Sequence, residues 1–328
     1  MLTNKKILLI GGTGFVGRHL ARVLVDAGVQ VTIPTRRYEK NRDVTMLPSV
    51  TLVEADINDE GALERLASGQ DAVINLVGIL HGDTPAIPYG KEFGAAHVEL
   101  PKKIVAACKA TGVKRLVHMS ALHAAKNAPS EYLRSKAAGE EVVAQSGLVT
   151  TIFRPSVIFG ARDSFINTFA NLLRKLPFLP LGCAHARFQP VSVDDVAKAF
   201  AQALDTPAME GQAYDLCGPN VYTLRELVEY TAEVLDLKRR IIPLSENFAY
   251  FQAALLSLLP NKMMSADNVR SMEIDSVCSG HCKTPPDWNP QPLEAIVPLY
   301  LLGAGDTVQF DDYRSRAGSV ISTPWCTS

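Results

Sequence analysis

Lys5 to Gly17 reads KKILLIGGTGFVG, and the order of residue types in it decides the fold. Ile7 to Ile10 is a short, wholly apolar run, suited to a strand buried on both faces. Gly11, Gly12, Thr13, Gly14, Phe15, Val16 and Gly17 follow, holding G-x-G-x-x-G at Gly12, Gly14 and Gly17 and G-x-x-G-x-x-G at Gly11, Gly14 and Gly17. Val16, Leu20, Val23, Leu24 and Ala27 then recur on one helical face until Gly28 stops the helix. Strand, glycine turn and helix in that order make the setting a dinucleotide needs. A Cβ at Gly14 would hold the backbone away from a pyrophosphate, which the free N–H groups at the helix start would bind.

Working outward, Gln30 to Thr35 reads as the second strand, with Arg36 and Arg37 at its carboxyl edge. An acid there would accept from a ribose 2′-hydroxyl, and none occurs between Ile33 and Arg37. Two guanidiniums suit a 2′-phosphate, so NADP(H) is expected over NAD(H). Val50 to Glu54 is the third strand. Beyond it Asp56, followed by Ile57, suits either the adenine amino group or the cap of a helix starting near Asn58. Asp71 to Leu76 is the fourth strand, and Leu76, Val77 and Gly78 lie where its end would face the cofactor. Residues 81–90 read as a Gly/Pro-bearing loop, a candidate lid or substrate edge. Glu92 to Ala110 is a long helical pattern that Pro101 should kink or restart and Gly112 should end.

Lys114 to Ser120 is the fifth strand and delivers Ser120 to the ligand end of a parallel sheet. In the helix that follows, Tyr132 and Lys136 stand four residues apart on one face. A phenol with an ordinary pKa near ~10 is a poor base at neutral pH. A neighbouring ammonium and a positive oxidised nicotinamide would both favour phenolate. Tyr132 could then exchange a proton with a substrate alcohol or carbonyl, Ser120 hold that oxygen, and Lys136 also bind the nicotinamide ribose. Thr150 to Arg154 is the sixth strand, with Pro155, Ser156 and Val157 after it.

The set resembles the short-chain dehydrogenase/reductase superfamily, in its extended and atypical branches. HMSAL (His118–Leu122), YLRSKAAGEEVV (Tyr132–Val143) and FRPSVIFGARDSFIN (Phe153–Asn167) are similar to the nucleotide-binding accessory subunits of respiratory complex I, alpha-subcomplex subunit nine, and their free-standing bacterial relatives. The resemblance runs from Ile7 to about Leu235. It implies that Pro155, Ser156 and Val157 border the nicotinamide and open the substrate region. It also implies that Tyr132 and Lys136 can serve as cofactor ligands without turnover. Where many extended members carry an asparagine, this chain has His97, which either replaces it or fills a packing site.

The expected fold is α/β, a Rossmann-type doubly wound parallel sheet with a small C-terminal α/β lobe. Residues 1–157 would hold NADP(H), with 187–216 returning to that domain, while 158–186 and 217–328 would form the lobe for substrate or partner. Asp194 and Asp195 read as the acidic first turn of a helix, and Thr223 with Glu226 as a capping box. Asn247 to Met264 is apolar nearly all round, which suits a lobe core helix, a membrane interface or a self-association contact. The tail from Asp306 to Ser328 reads as loosely ordered.

At 328 residues with a net charge of -1, no global field favours nucleic acid. Hydrophobic residues make up 47% and charged residues 20%, ordinary for a globular chain. No apolar run reaches the ~18 residues that span a bilayer, and the first strand leaves no room for a signal peptide. The expected location is cytoplasmic, at most peripheral on the inner face of the membrane. The six cysteines are expected as ordinary thiols, CSGHC at Cys278–Cys282 included, with no metal. Two functions follow. One is an NADP(H)-dependent oxidoreductase or epimerase/dehydratase-like enzyme acting on a carbonyl or alcohol of a small molecule. The other is an NADPH-holding module of a respiratory or quinone-related assembly.

Overall fold

The structure is a computed structural model, described for residues 2–82, 85–245, 248, 250, 252, 264–278, 280 and 282–303. The apolar stretch 247–264 lies outside the described residues except for Phe248, Tyr250, Gln252 and Met264, and so do His281 and the tail from Asp306.

The strands are β1 (Lys6–Ile10), β2 (Gln30–Thr35), β3 (Val50–Glu54), β4 (Ala72–Asn75), β5 (Arg115–Met119) and β6 (Val149–Pro155). Then come β7 (Ile158–Phe159), β8 (Phe178–Leu181), β9 (Arg187–Phe188), β10 (Val191–Ser192), β11 (Gln212–Leu216), β12 (Tyr222–Thr223) and β13 (Arg240–Pro243). The helices are α1 (Phe15–Asp26), α2 (Glu60–Ala67), α3 (Lys91–Gly94), α4 (Leu100–Thr111) and α5 (Glu131–Ala144). They continue as α6 (Ile166–Lys175), α7 (Val193–Ala203), α8 (Leu224–Val234), α9 (Ala266–Ser271) and α10 (Leu293–Leu301).

Seven parallel strands make the central sheet in the order β11–β6–β5–β4–β1–β2–β3. The α/β doubly wound architecture expected from the glycine run is therefore present. Ile7 to Ile10 are at most 1% exposed, because helices cover both faces of the sheet. Strand order reverses between β1 and β4, and the crevice outside those carboxyl ends is where this fold takes ligands.

A second core gathers Phe159, Ile166, Leu173, Leu179, Leu227 and Val297 from the excursion after β6 and from the chain beyond β11. There β8 and β13 pair in parallel. Asp194 and Asp195 open α7 behind the Ser192 cap, and Thr223 with Glu226 forms the capping box of α8.

Over Glu92 to Ala110, α3 runs through a π-helical stretch, Ala95–Glu99, into α4, so the helical run restarts beside Pro101. Pro101 sits in the first turn of α4. Helix α6 ends at Lys175, ahead of Pro177 and Pro180, and Pro180 lies within β8. Phe188 to Val191 is two short strands, β9 and β10, with different partners. Cys217 and Cys278, read as ordinary thiols, are joined by a disulfide with Cα atoms 6.2 Å apart.

Candidate functional site

The glycine turn is built by contacts that only hydrogen permits. Gly11 has φ +85°, and a Cβ there would press on Leu76 and Val77 at 3.3 Å. A Cβ at Gly17 would meet the Gly11 carbonyl oxygen at 2.3 Å, so α1 starts flush against the turn. A Cβ at Gly14 would touch only that same oxygen, at 3.2 Å, so the side of the turn where it would project is otherwise open. No side chain caps α1 and its first turn holds no acid. Its backbone dipole is left to attract an anion. Arg18 braces the turn, donating from Nε to the Thr13 carbonyl at 2.9 Å, from its guanidinium to Asn41 at 3.0 Å, and pairing with Asp43. Phe15 and Val16 follow Gly14 as the first residues of α1.

At the end of β2, Arg36 and Arg37 are exposed, and among the described residues neither guanidinium is in a salt bridge. Thr35 Oγ1 accepts from the Arg37 N–H at 3.3 Å and from Asn41 at 3.1 Å, which fixes the turn presenting them. Asp56 does not cap α2; Asp59 does, accepting from the Gly61 N–H. Asp56 instead accepts from the Asn58 N–H and side chain, both at 2.9 Å, and these bonds hold its pKa down. Ile57 packs half-buried on the core beneath.

At the end of β4, the Asn75 side chain accepts from the Val77 N–H at 3.1 Å and donates to His118 Nδ1 at 3.2 Å. Lys136 reaches this strand end from α5. Its Nζ donates to the carbonyls of Val77 (3.3 Å) and Met119 (3.2 Å). A Cβ at Gly78 would stand 2.9 Å from that Nζ, so Gly78, Lys136 and the residue before Ser120 meet in one place. Ser120 is 2% exposed, and among the described residues its hydroxyl has no hydrogen-bond partner. A buried hydroxyl left unsatisfied is costly, and here it marks where a ligand oxygen would be received. Tyr132 packs against Ala121, Ala128 and Leu133.

Electrostatics turn the tyrosine argument round. Burial pushes the Tyr132 phenol up to about 12 and Lys136 down to about 8. Burial disfavours the phenolate, so at neutral pH the Tyr132 phenol keeps its proton.

His97 lies in the π-helical stretch, edge-on to the Tyr132 ring at 5.6 Å between centroids. Its Nε2 accepts from the Ile79 N–H at 3.0 Å, which puts the proton on Nδ1, donating to Ser135 Oγ at 2.8 Å. Ser135 donates onward to the Tyr132 carbonyl at 2.8 Å. Burial, with Lys136 and then His118 adding repulsion, lowers His97 to about 2. It is a fixed neutral brace between β4 and α5, the packing alternative of the two.

Beyond β6, the Ser156 hydroxyl bonds Ser276, to its carbonyl at 2.8 Å and its hydroxyl at 2.9 Å, and so is turned toward the C-terminal segment. Pro155 accepts from the Leu122 N–H, and Val157 from the Val191 N–H. That C-terminal segment is the part sequence reasoning missed. Asp267 accepts from the N–H groups of Glu131 (2.7 Å) and Tyr132 (3.0 Å), capping α5 from 135 residues away. Asn268 donates to the Leu80 carbonyl, and His123 bonds the Val277 carbonyl. Glu131 in turn accepts from Ala86 and Gly90, holding the loop beside Tyr132. No local pattern announces contacts so distant in sequence. Arg18, directly after the glycine run, was the one visible signal.

Comparison with known proteins agrees with this geometry. The family described as NAD dependent epimerase/dehydratase matches residues 7–217. The chain is 31% identical over 251 residues to NADH dehydrogenase [ubiquinone] 1 alpha subcomplex subunit 9, mitochondrial, of Dictyostelium discoideum, covering 74% of this chain and 68% of that one. It is 28% identical to a ceramide reductase of Caulobacter vibrioides, covering 73% and 74%. The structure resembles a nucleoside-diphosphate-sugar epimerase from Staphylococcus aureus with a TM-score of 0.68 at 19% identity, over 88% of this chain and 98% of that one. With a glycine cradle, an uncapped helix and a Tyr-x-x-x-Lys helix in register, the chain belongs to the NAD dependent epimerase/dehydratase family and carries its nicotinamide dinucleotide site.

Proposed function

We propose that this chain binds NADP(H) and reduces a carbonyl, with Ser120, Tyr132 and Lys136 as its catalytic group. One observation carries the reading: among the described residues the buried Ser120 hydroxyl lacks a partner, at the strand end that Lys136 reaches from the helix of Tyr132, and burial keeps the Tyr132 phenol protonated. The bound nicotinamide would supply the hydride. Ser120 would donate a hydrogen bond to the substrate oxygen, and Tyr132 would give that oxygen its proton. Lys136, held on the Val77 and Met119 carbonyls, would orient the cofactor ribose. Gly11, Thr13, Gly14, Phe15, Val16 and Gly17 would seat the pyrophosphate, Asp56 and Ile57 the adenine, and Leu76, Val77, Gly78, Pro155 and Val157 the nicotinamide side. Ser156 would act through Ser276 rather than on the cofactor. Arg36 and Arg37 would select NADP(H) through the 2′-phosphate. Residues 1–157 with 187–216 would form the cofactor half, and the remainder the substrate lobe. The similarity to a ceramide reductase favours reduction over epimerisation.

A second reading has its own support in the similarity to a respiratory complex I subunit. Here NADPH is held without turnover, and the protein sits at the inner face of the membrane in a respiratory or quinone-related assembly. NADPH consumption against a panel of ketones and aldehydes separates the two. Turnover that Tyr132→Phe abolishes while NADPH still binds supports the first; none with any carbonyl, despite tight binding, supports the second. In fluorescence titrations, replacing Arg36 and Arg37 by Ala should weaken NADPH at least roughly tenfold and leave NADH unchanged. Equal binding of both cofactors by the unaltered protein would sink the NADP(H) assignment.

A further inference from the structure

The small lobe carries a face that neither the cofactor site nor the lobe's own core uses. In the β8–β13 pair, Leu179, Leu181 and Ile241 point inward and are buried. The alternate residues point outward, as strand geometry requires. Phe178 is 52% and Ile242 38% exposed, with Arg240 in register beside Phe178 and Ile242 beside Pro180. Leu176, at the exit of α6, is 38% exposed. Arg174 donates to the Leu301 carbonyl at 3.2 Å, which brings the end of α10, with exposed Leu299 and Leu302, alongside.

The segments that carry the two strands have charge of one sign. Arg174, Lys175, Lys238, Arg239 and Arg240 lead into the two strands, and the sequence holds no acid from 164 to 193 or from 237 to 245. Asp236 and Glu246 bound the second stretch. Among the described residues none of the five cations is in a salt bridge. The outward side chains are aliphatic, aromatic or cationic. The inner edge of β8 is already taken by Gln252, which bonds the Pro180 carbonyl and the Gly182 N–H. The face therefore offers apolar bulk and positive charge, with nothing that reads the shape of a protein partner.

We propose that this face seats on an anionic lipid bilayer, with Leu176, Phe178 and Ile242 entering the headgroup boundary and the cations meeting lipid phosphates. The proposal deepens the second reading above by naming the surface and the lipid chemistry, and it is independent of whether Tyr132 turns over. The full chain would be sedimented with vesicles of phosphatidylcholine alone, and of two parts phosphatidylcholine to one part phosphatidylglycerol. Retention only by the anionic vesicles, lost as salt is raised, is the expected result. Lys175→Glu with Arg240→Glu should weaken retention at least roughly tenfold, and Phe178→Ser with Ile242→Ser should weaken it as well. NADPH titration, unchanged in both variants, reports that each is folded. Equal retention by neutral vesicles overturns the proposal, as does retention that neither variant alters; the latter would leave the chain at the membrane through another surface. Retention by neither vesicle overturns it too, while the cofactor reading stands on the titration alone.

Discussion

His97 and His118 are both buried and both held neutral, lowered to about 2 and about 3. In the unfolded chain each would titrate near ~6.5. Between those values the unfolded state binds protons that the folded state refuses. Their contribution to stability is thus complete above pH ~6.5 and drains away as pH falls below it. Each neutral histidine steepens the loss by about 1.4 kcal/mol per pH unit. Urea unfolding at pH 7 and pH 5 should show stability falling by a few kcal/mol, and His118→Asn should flatten the dependence. A pH-independent midpoint over that range would mean both rings accept protons in place. The sequence marked His97 as a position of interest but left two readings open. Only the bonds to Ile79 and Ser135 decide between them.

At the scale of elements, α5 is pressed onto the π-helical stretch Ala95–Glu99 backbone to backbone. A Cβ at Gly139 would meet the His97 carbonyl oxygen at 1.8 Å. Gly139→Ala must therefore push α5 away, and with it Tyr132 and Lys136. The expected cost is about 3 kcal/mol, read as a lowered thermal midpoint together with weaker NADPH binding. A variant that binds and melts as the parent does would disprove the close approach. The sheet itself was legible: β2 and β3 fall where apolar and β-branched runs put them, and β1 differs by one residue. Legibility failed where tertiary context overrode local rules. Pro180 sits in a strand because β8 needs only one ladder partner, β13. The π-helical stretch lets α3 pass into α4, which spacing alone does not announce.

For the whole molecule, the chain from α9 onward is tied back to the central sheet. The disulfide closes a loop of 61 residues between Cys217 and Cys278, and Ser276, Val277 and Asp267 bond loops at the ends of β6, β5 and the start of α5. Loop entropy puts the cross-link at about 4 kcal/mol. Cys278→Ser, or the reduced protein, should lose stability of that order in guanidinium titrations, and an unchanged midpoint would refute the bond. Scattered cysteines gave no hint of this pairing, because nothing local relates residue 217 to residue 278. The sheet is likewise finished late: β11 covers the edge of β6 only after an excursion of more than fifty residues. A ribosome therefore extrudes the entire glycine elbow, with Tyr132 and Lys136, long before the last strand can dock. Until then β6 presents a bare ladder of backbone donors and acceptors, the kind of margin onto which neighbouring nascent chains can stack. A polypeptide released at residue 157 should pellet on centrifugation, while one ending beyond β11 loses that margin, so chaperone demand during synthesis ought to centre on this interval.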